Sequence, residues 1–267
     1  MENQRQYNRM NTRPGLRSGF TVIELLVVIG TIGLLMSILL PTLSRARDTA
    51  KRVACASNLR QLGVAIHCYA QQYDGSIPYG PKAPPALTAA NFYPATGTPT
   101  SLISLLNGQP VGAGLLLENH LTEQPKILFC PGSDQPVVAE EELEKVGTTQ
   151  AQSSYYYRHD SVDRRFDPPG EPLAPLHTSI SRLGRNRRGR PIRALAMDTQ
   201  FDVSNTFASF GIVPRTHHRK RGANTLYLDG SVQWLSNADG RFTVKLETID
   251  ALTNAFSVIL STFESAE

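Results

Sequence analysis

The sequence predicts an α+β fold: a long, kinked N-terminal helix followed by an exterior domain of short strands and helices. Three observations carry that expectation. Phe20 to Leu40 is an apolar run of 21 residues whose one ionisable side chain is Glu24, and a helix needs about 20 apolar residues to cross a bilayer core. Beyond it, Leu59, Leu62, Ile66, Tyr69 and Tyr73 recur at three- and four-residue steps, the period of an amphipathic helix. Near the other end, Thr225 to Leu235 alternates around Asp229-Gly230, the strongest short-range signal of a β-hairpin.

Residues 1–19 read as a basic leader carrying Arg5, Arg9, Arg13 and Arg17. A secretory signal peptide fits poorly. Its apolar core would run roughly 7–15 residues and end in a small-x-small site, whereas Pro41-Thr42-Leu43-Ser44-Arg45 follows here. A plain membrane anchor explains the length of the run but not the Gly19-Phe20-Thr21-Val22-Ile23-Glu24 order. An acid in such a segment costs on the order of 2.5–3.5 kcal/mol at the bilayer centre and less near an end, so Glu24 calls for a partner or snorkels to the headgroups. Charge does not orient the segment: Arg45, Arg47, Lys51 and Arg52 on its far side nearly balance the leader.

At Gly19-Phe20-Thr21-Val22-Ile23-Glu24 the chain resembles type IV prepilins and type II secretion pseudopilins. The resemblance implies cleavage after Gly19 by a membrane prepilin peptidase, N-methylation of Phe20, and retention of residues 20–40 as a transmembrane and assembly helix. It implies that Glu24 meets the Phe20 amine of a neighbouring subunit. It also implies a single pass through the inner membrane with the C-terminal domain outside. A second pattern, Cys55-Ala56-Ser57-Asn58-Leu59-Arg60-Gln61-Leu62-Gly63, is similar to the outer helix half of pseudopilin-like proteins with a large C-terminal domain. Those proteins carry a His, nine residues and Asp-Gly in a hairpin. Here ten residues separate His218 from Asp229, which puts any role of that His in doubt. The fold implied is pilin-like, with the helix packed on an antiparallel sheet.

The helix should continue through residues 41–75, bend at Pro41, which lacks an N–H, and stop at Asp74-Gly75. Ala46, Ala50 and Val53 extend a weaker apolar stripe. The remainder, 76–267, reads as one globular α+β domain, because 40% hydrophobic and 19% charged residues suit a folded chain. Within it, 76–110 reads as loop. Leu115 to Leu117 and Ile127 to Phe129 are short elements, and 138–146 is an acidic loop or short helix. Ser153 to Tyr157 and Ala194 to Met197 are strands separated by a long polar insertion. Leu246 to Phe263 forms a C-terminal helix.

Of three cysteines, Cys55 and Cys68 lie 13 residues apart on one predicted helix, roughly 20 Å, too far for a disulfide. Cys55 falls on the apolar stripe and Cys68 off it, so Cys55–Cys130 is the expected pair, with three reduced thiols the alternative. Neither a Cys-x-x-Cys nor a close Cys/His spacing points to zinc. Asp198, Asp202, Asp229 and Asp239 are weak calcium candidates, and Asp229-Gly230 is explained as a turn. No His lies in a catalytic motif, so no enzyme, cofactor or small-molecule substrate is expected. Basic clusters at Arg182–Arg193 and Arg215–Arg221 lack interleaved aromatics, which argues against nucleic acid. The expected function is a processed, membrane-anchored subunit of a type IV pilus or secretion filament, with other pilin subunits and the peptidase as partners. The alternative is a monomeric, membrane-tethered surface binding module exported by the same route.

Overall fold

The computed structural model describes residues 20–81, 99–159, 178–204, 207 and 213–267. The Gly19 side of the expected cleavage site and half of the long polar insertion, residues 160–177, lie outside these. The chain divides into two units, 1–46 and 47–267.

Helix α1 runs Val22–Gln72 and continues through Pro41 as one element. It starts on a capping box. Thr21 Oγ1 accepts from the Glu24 N–H at 3.2 Å, and Glu24 Oε2 accepts from the Thr21 N–H at 2.8 Å; two otherwise orphaned helix-start donors are thereby satisfied. In the first unit every described residue, from Phe20 to Ala46, is exposed. The helix ends where Asp74 and Gly75 take positive φ of 51° and 80°, a conformation that halts an α-helix and suits glycine.

In the second unit, α1 buries Cys55, Leu59, Leu62, Gly63, Ala65, Ile66, Tyr69 and Ala70. The weaker stripe is not buried: Val53 is 58% exposed. This face packs on a five-stranded antiparallel sheet of order β1-β2-β3-β5-β6. Its strands are β1 (Thr100–Ser104), β2 (Ala151–Tyr157), β3 (Ala194–Asp198), β5 (Gly222–Tyr227) and β6 (Val232–Ser236). Gly63 lets the helix lie close to the sheet, since a Cβ there would lie 2.9 Å from Leu226 Cδ1.

The sheet is covered on its other face as well. Tyr155 and Tyr157 of β2 point into the α1 core, while Tyr156 joins a second core with Met197, Tyr227, Phe242, Ile259 and Phe263. That alternation is the period of two expected of a strand. The second core is closed by α3 (Ile249–Ala266) and by a parallel pair, β4 (Phe201–Val203) with β7 (Val244–Leu246).

The helix-on-antiparallel-sheet architecture is the one expected. Three details differ. β1 lies inside the stretch read as loop. β4 and β7 are three residues each, too short to show alternation. The two short elements are 3₁₀ turns, Gly112–Leu116 and Pro125–Leu128, where i→i+3 bonding is natural for pieces this brief. The acidic stretch forms α2 (Ala139–Lys145).

Candidate functional site: a buried sulfur, imidazole and carboxylate cluster

Four segments distant in sequence converge beneath α1. Cys55 lies on the buried face of α1, and three residues on, Asn58 Nδ2 donates to the Phe129 carbonyl at 3.0 Å. That bond fixes the chain just before Cys130. Asp198 ends β3, and His218 stands in the loop before β5. Cys55, Cys130 and Asp198 are buried, and the His218 side chain is 5% exposed.

The loops holding Cys130 and His218 are zipped together. The His218 N–H donates to the Gly132 carbonyl at 2.8 Å, and the Asp134 N–H to the Thr216 carbonyl at 2.9 Å. Asp134 also accepts from the Arg219 N–H and from Thr216 Oγ1. Gly132 is required by this closeness: a Cβ there would lie 2.3 Å from His218 Cε1. His218, Arg219 and Lys220 all take positive φ, 53° to 56°. Left-handed backbone costs roughly 1–2 kcal/mol per non-glycine residue, and such strain persists only where surrounding contacts impose it.

The polar atoms meet at one point. Cys55 Sγ lies 2.8 Å from Asp198 Oδ1, Cys130 Sγ 3.3 Å from His218 Nε2, and His218 Nε2 3.3 Å from Asp198 Oδ2. One donor atom from each of the four residues falls within 4.8 Å of every other. Outer contacts hold them. Asn224 gives both its backbone N–H and Nδ2 to Asp198 Oδ2, at 2.7 and 3.1 Å. Tyr155 Oη lies 3.3 Å from Cys55 Sγ, and the Gly132 N–H donates to Cys130 Sγ at 3.3 Å. Trp234 packs edge-on against His218, and Arg52 of α1 stacks over Trp234.

Burial pushes both thiols up, Cys55 well above the ordinary range; the neighbouring sulfur adds to this at Cys55, and Asp198 adds to it at both. Burial alone would raise the Asp198 carboxyl, but its bond and charge contact with His218 hold it down. His218 moves the other way: burial lowers it, and Asp198 outweighs that. A Cys–His–Asp set invites comparison with a nucleophile triad, in which thiol and acid engage opposite ring nitrogens. Here both engage Nε2, so the ring cannot relay a proton between them.

The sequence-based candidates are thus redistributed. Cys55 and Cys130 come together as free thiols, while Cys68 is free and exposed. Asp198 sits with sulfur and imidazole, not in an oxygen site of the kind calcium takes. The other calcium candidates are scattered: Asp202 pairs with Lys220, Asp239 with Arg241, and Asp229 lies in the β5–β6 turn, where its carboxylate accepts from Ser231. Short Cys/His spacings did not point to zinc, yet Cys55, Cys130, Asp198 and His218 bring soft donors together. These donors are up to 163 residues apart in the chain, so no short spacing marks them. Several members of the basic clusters form ion pairs within the second unit. Arg187 pairs with Glu264, Arg193 with Asp229, Arg215 with Glu142, and Arg219 and Arg221 with Asp48.

Residues 44–93 match the model of a family described as a protein of unknown function, DUF1559. The match takes in the second part of α1 with its Cys55–Gly63 pattern. Together with a helix long and apolar enough to cross a membrane, it fits a pilin-like, membrane-anchored protein. No curated protein and no solved structure matches the chain.

Proposed function

We propose that the chain is a structural subunit of a pilin-like filament, cleaved after Gly19, methylated at Phe20 and held in the membrane by α1 until it assembles. The observation that carries this reading is the state of Phe20–Leu40. It is helical from Val22, predominantly apolar and exposed on all sides, with one acid three residues into the helix. A helix apolar all round needs lipid or other helices around it. Both environments are supplied in turn by a subunit that leaves the bilayer for a helical bundle. Glu24 then finds its countercharge in the amine that cleavage creates on a neighbour's Phe20. The second unit supplies the exterior surface, and its role is binding and packing, not catalysis.

The test uses Glu24 variants of the full chain. Glu24→Ala removes charge and cap together, while Glu24→Gln keeps a capping-box residue at that position and removes the charge. Both variants should be cleaved and reach the membrane, and both should fail to enter filaments recovered by shearing. Normal assembly of Glu24→Gln would refute the charge-pairing step. Undiminished surface activity of both, with no filament in the wild type, would replace this reading with that of a membrane-tethered binding module.

A further inference from the structure

We propose that Cys55, Cys130, Asp198 and His218 bind a zinc ion in a closed, four-ligand structural site. Zinc takes thiolate, imidazole and carboxylate donors tetrahedrally at roughly 2.3 Å for sulfur and about 2.0–2.2 Å for nitrogen or oxygen. Those bond lengths put donors roughly 3.3–3.8 Å apart along the tetrahedron's edges. The observed separations of 2.8, 3.3 and 3.3 Å, all within a 4.8 Å envelope, require only small outward movements to reach it.

Three further observations favour a cation over a hydrogen-bonded polar cluster. His218 Nε2 faces Cys130 Sγ, Asp198 Oδ2 and, at 3.5 Å, Asn224 Nδ2, although one ring nitrogen carries one proton or one lone pair. A shared metal lets sulfur, nitrogen and oxygen point at the same centre without that conflict. Each anionic ligand also has its own outer donor: Tyr155 Oη for Cys55, the Gly132 N–H for Cys130, and Asn224 for Asp198. Outer donors of this sort orient metal ligands and spread their charge. Finally, the strained turn at His218–Lys220 holds the imidazole in place, and ligand clamps are where such strain collects. Soft sulfur beside imidazole selects zinc over magnesium or calcium. On binding, the two thiol protons and the proton on His218 Nε2 leave to solvent, and the ion takes their place. The site joins α1 to the Cys130 loop, β3 and the loop before β5. It is independent of whether the chain forms a filament.

The experiment uses full-length protein extracted in detergent and purified without chelators or metal-affinity resin, with thiols blocked at lysis in a parallel sample. Stoichiometric zinc is expected by elemental analysis of the unblocked protein. It should be lost in Cys130→Ser, Asp198→Asn and His218→Gln, and kept in Cys68→Ser. Tyr155→Phe and Asn224→Ala should weaken zinc binding by ~10–100-fold. Should ligand variants fail to fold, cobalt exchanged into the wild type reads the donor set directly, through tetrahedral ligand-field bands and a sulfur-to-cobalt charge-transfer band. Three results would overturn the proposal. One is reduced wild type that neither contains zinc nor develops the cobalt–sulfur band. Another is a peptide map of the blocked sample joining Cys55 to Cys130. The third is zinc loss in Cys68→Ser.

Discussion

At the scale of single residues, short patterns acquire separate physical roles. Thr21 and Glu24 cap α1, so Glu24 has a local task in addition to the intersubunit one proposed for it. The two are separable because glutamine keeps a cap-forming amide and drops the charge. In the Cys55–Gly63 pattern, Cys55 reaches the buried cluster, Asn58 pins the Phe129 carbonyl, Leu59 and Leu62 fill the core, and Gly63 admits Leu226. Gly132 lets the His218 ring lie against its loop. Gly132→Ala should therefore displace the imidazole and cut zinc affinity with little loss of secondary structure, measured by competition with a chromophoric chelator alongside circular dichroism. Unchanged affinity would mean that the ring is free to move.

At the scale of elements, α1 and α3 clamp opposite faces of one sheet. Leu62 on α1 and Phe263 on α3 are fully buried. Leu62→Ala should cost about 2–5 kcal/mol and Phe263→Ala about 3–5 kcal/mol, read by denaturant unfolding of the detergent-solubilised protein. An ion pair ties α3 to the loop before β3: Glu264 accepts from the Arg187 N–H and Nε at 3.0 and 2.9 Å. Burial alone would raise this carboxyl, but the Arg187 bonds hold it below the ordinary value of 4.5. A carboxyl depressed in the folded state stabilises above its unfolded pKa, and that contribution fades as pH falls through the ordinary value toward the folded one. Glu264→Gln should accordingly be less stable than the wild type by about 1–2 kcal/mol at pH 7. That lies toward the low end for charged hydrogen bonds because Arg187 is 41% exposed to screening solvent. The gap should close below pH 4.5, followed by thermal unfolding across pH.

These elements also show what was legible in the chain. α1 was readable because membrane length and a 3.6-residue stripe both leave strong periodic signals. The β5–β6 hairpin was readable from Asp229-Gly230. β1 was missed because a five-residue strand, Thr100–Ser104, sits beside a Pro- and Gly-rich stretch, and its pairing to β2 is set by tertiary contact. The cluster was half legible. The helical phase of Cys55 pointed inward, and elimination pointed to Cys130. Asp198 and His218 could not be joined to them, because ligands drawn from four segments leave no spacing to recognise.

At the scale of the whole molecule, the proposed subunit uses its first unit for anchoring and assembly and its second for presentation. In the second unit's basic clusters, Arg187, Arg193, Arg215, Arg219, Lys220 and Arg221 form internal ion pairs. These pairs and a net charge of only +4 argue for weak polyanion binding by counterion release. The full-length protein should not shift duplex DNA at physiological salt in a gel mobility assay. A retained complex whose affinity falls steeply with salt would show a basic surface that these pairs do not neutralise. The central claim is that the apolar helix belongs to a processed, pilin-like subunit, and the mass of the N-terminal peptide of the mature protein tests it most directly. The expected mature chain starts at N-methylated Phe20. A chain starting at Met1, or one cut beyond Leu40, would contradict it.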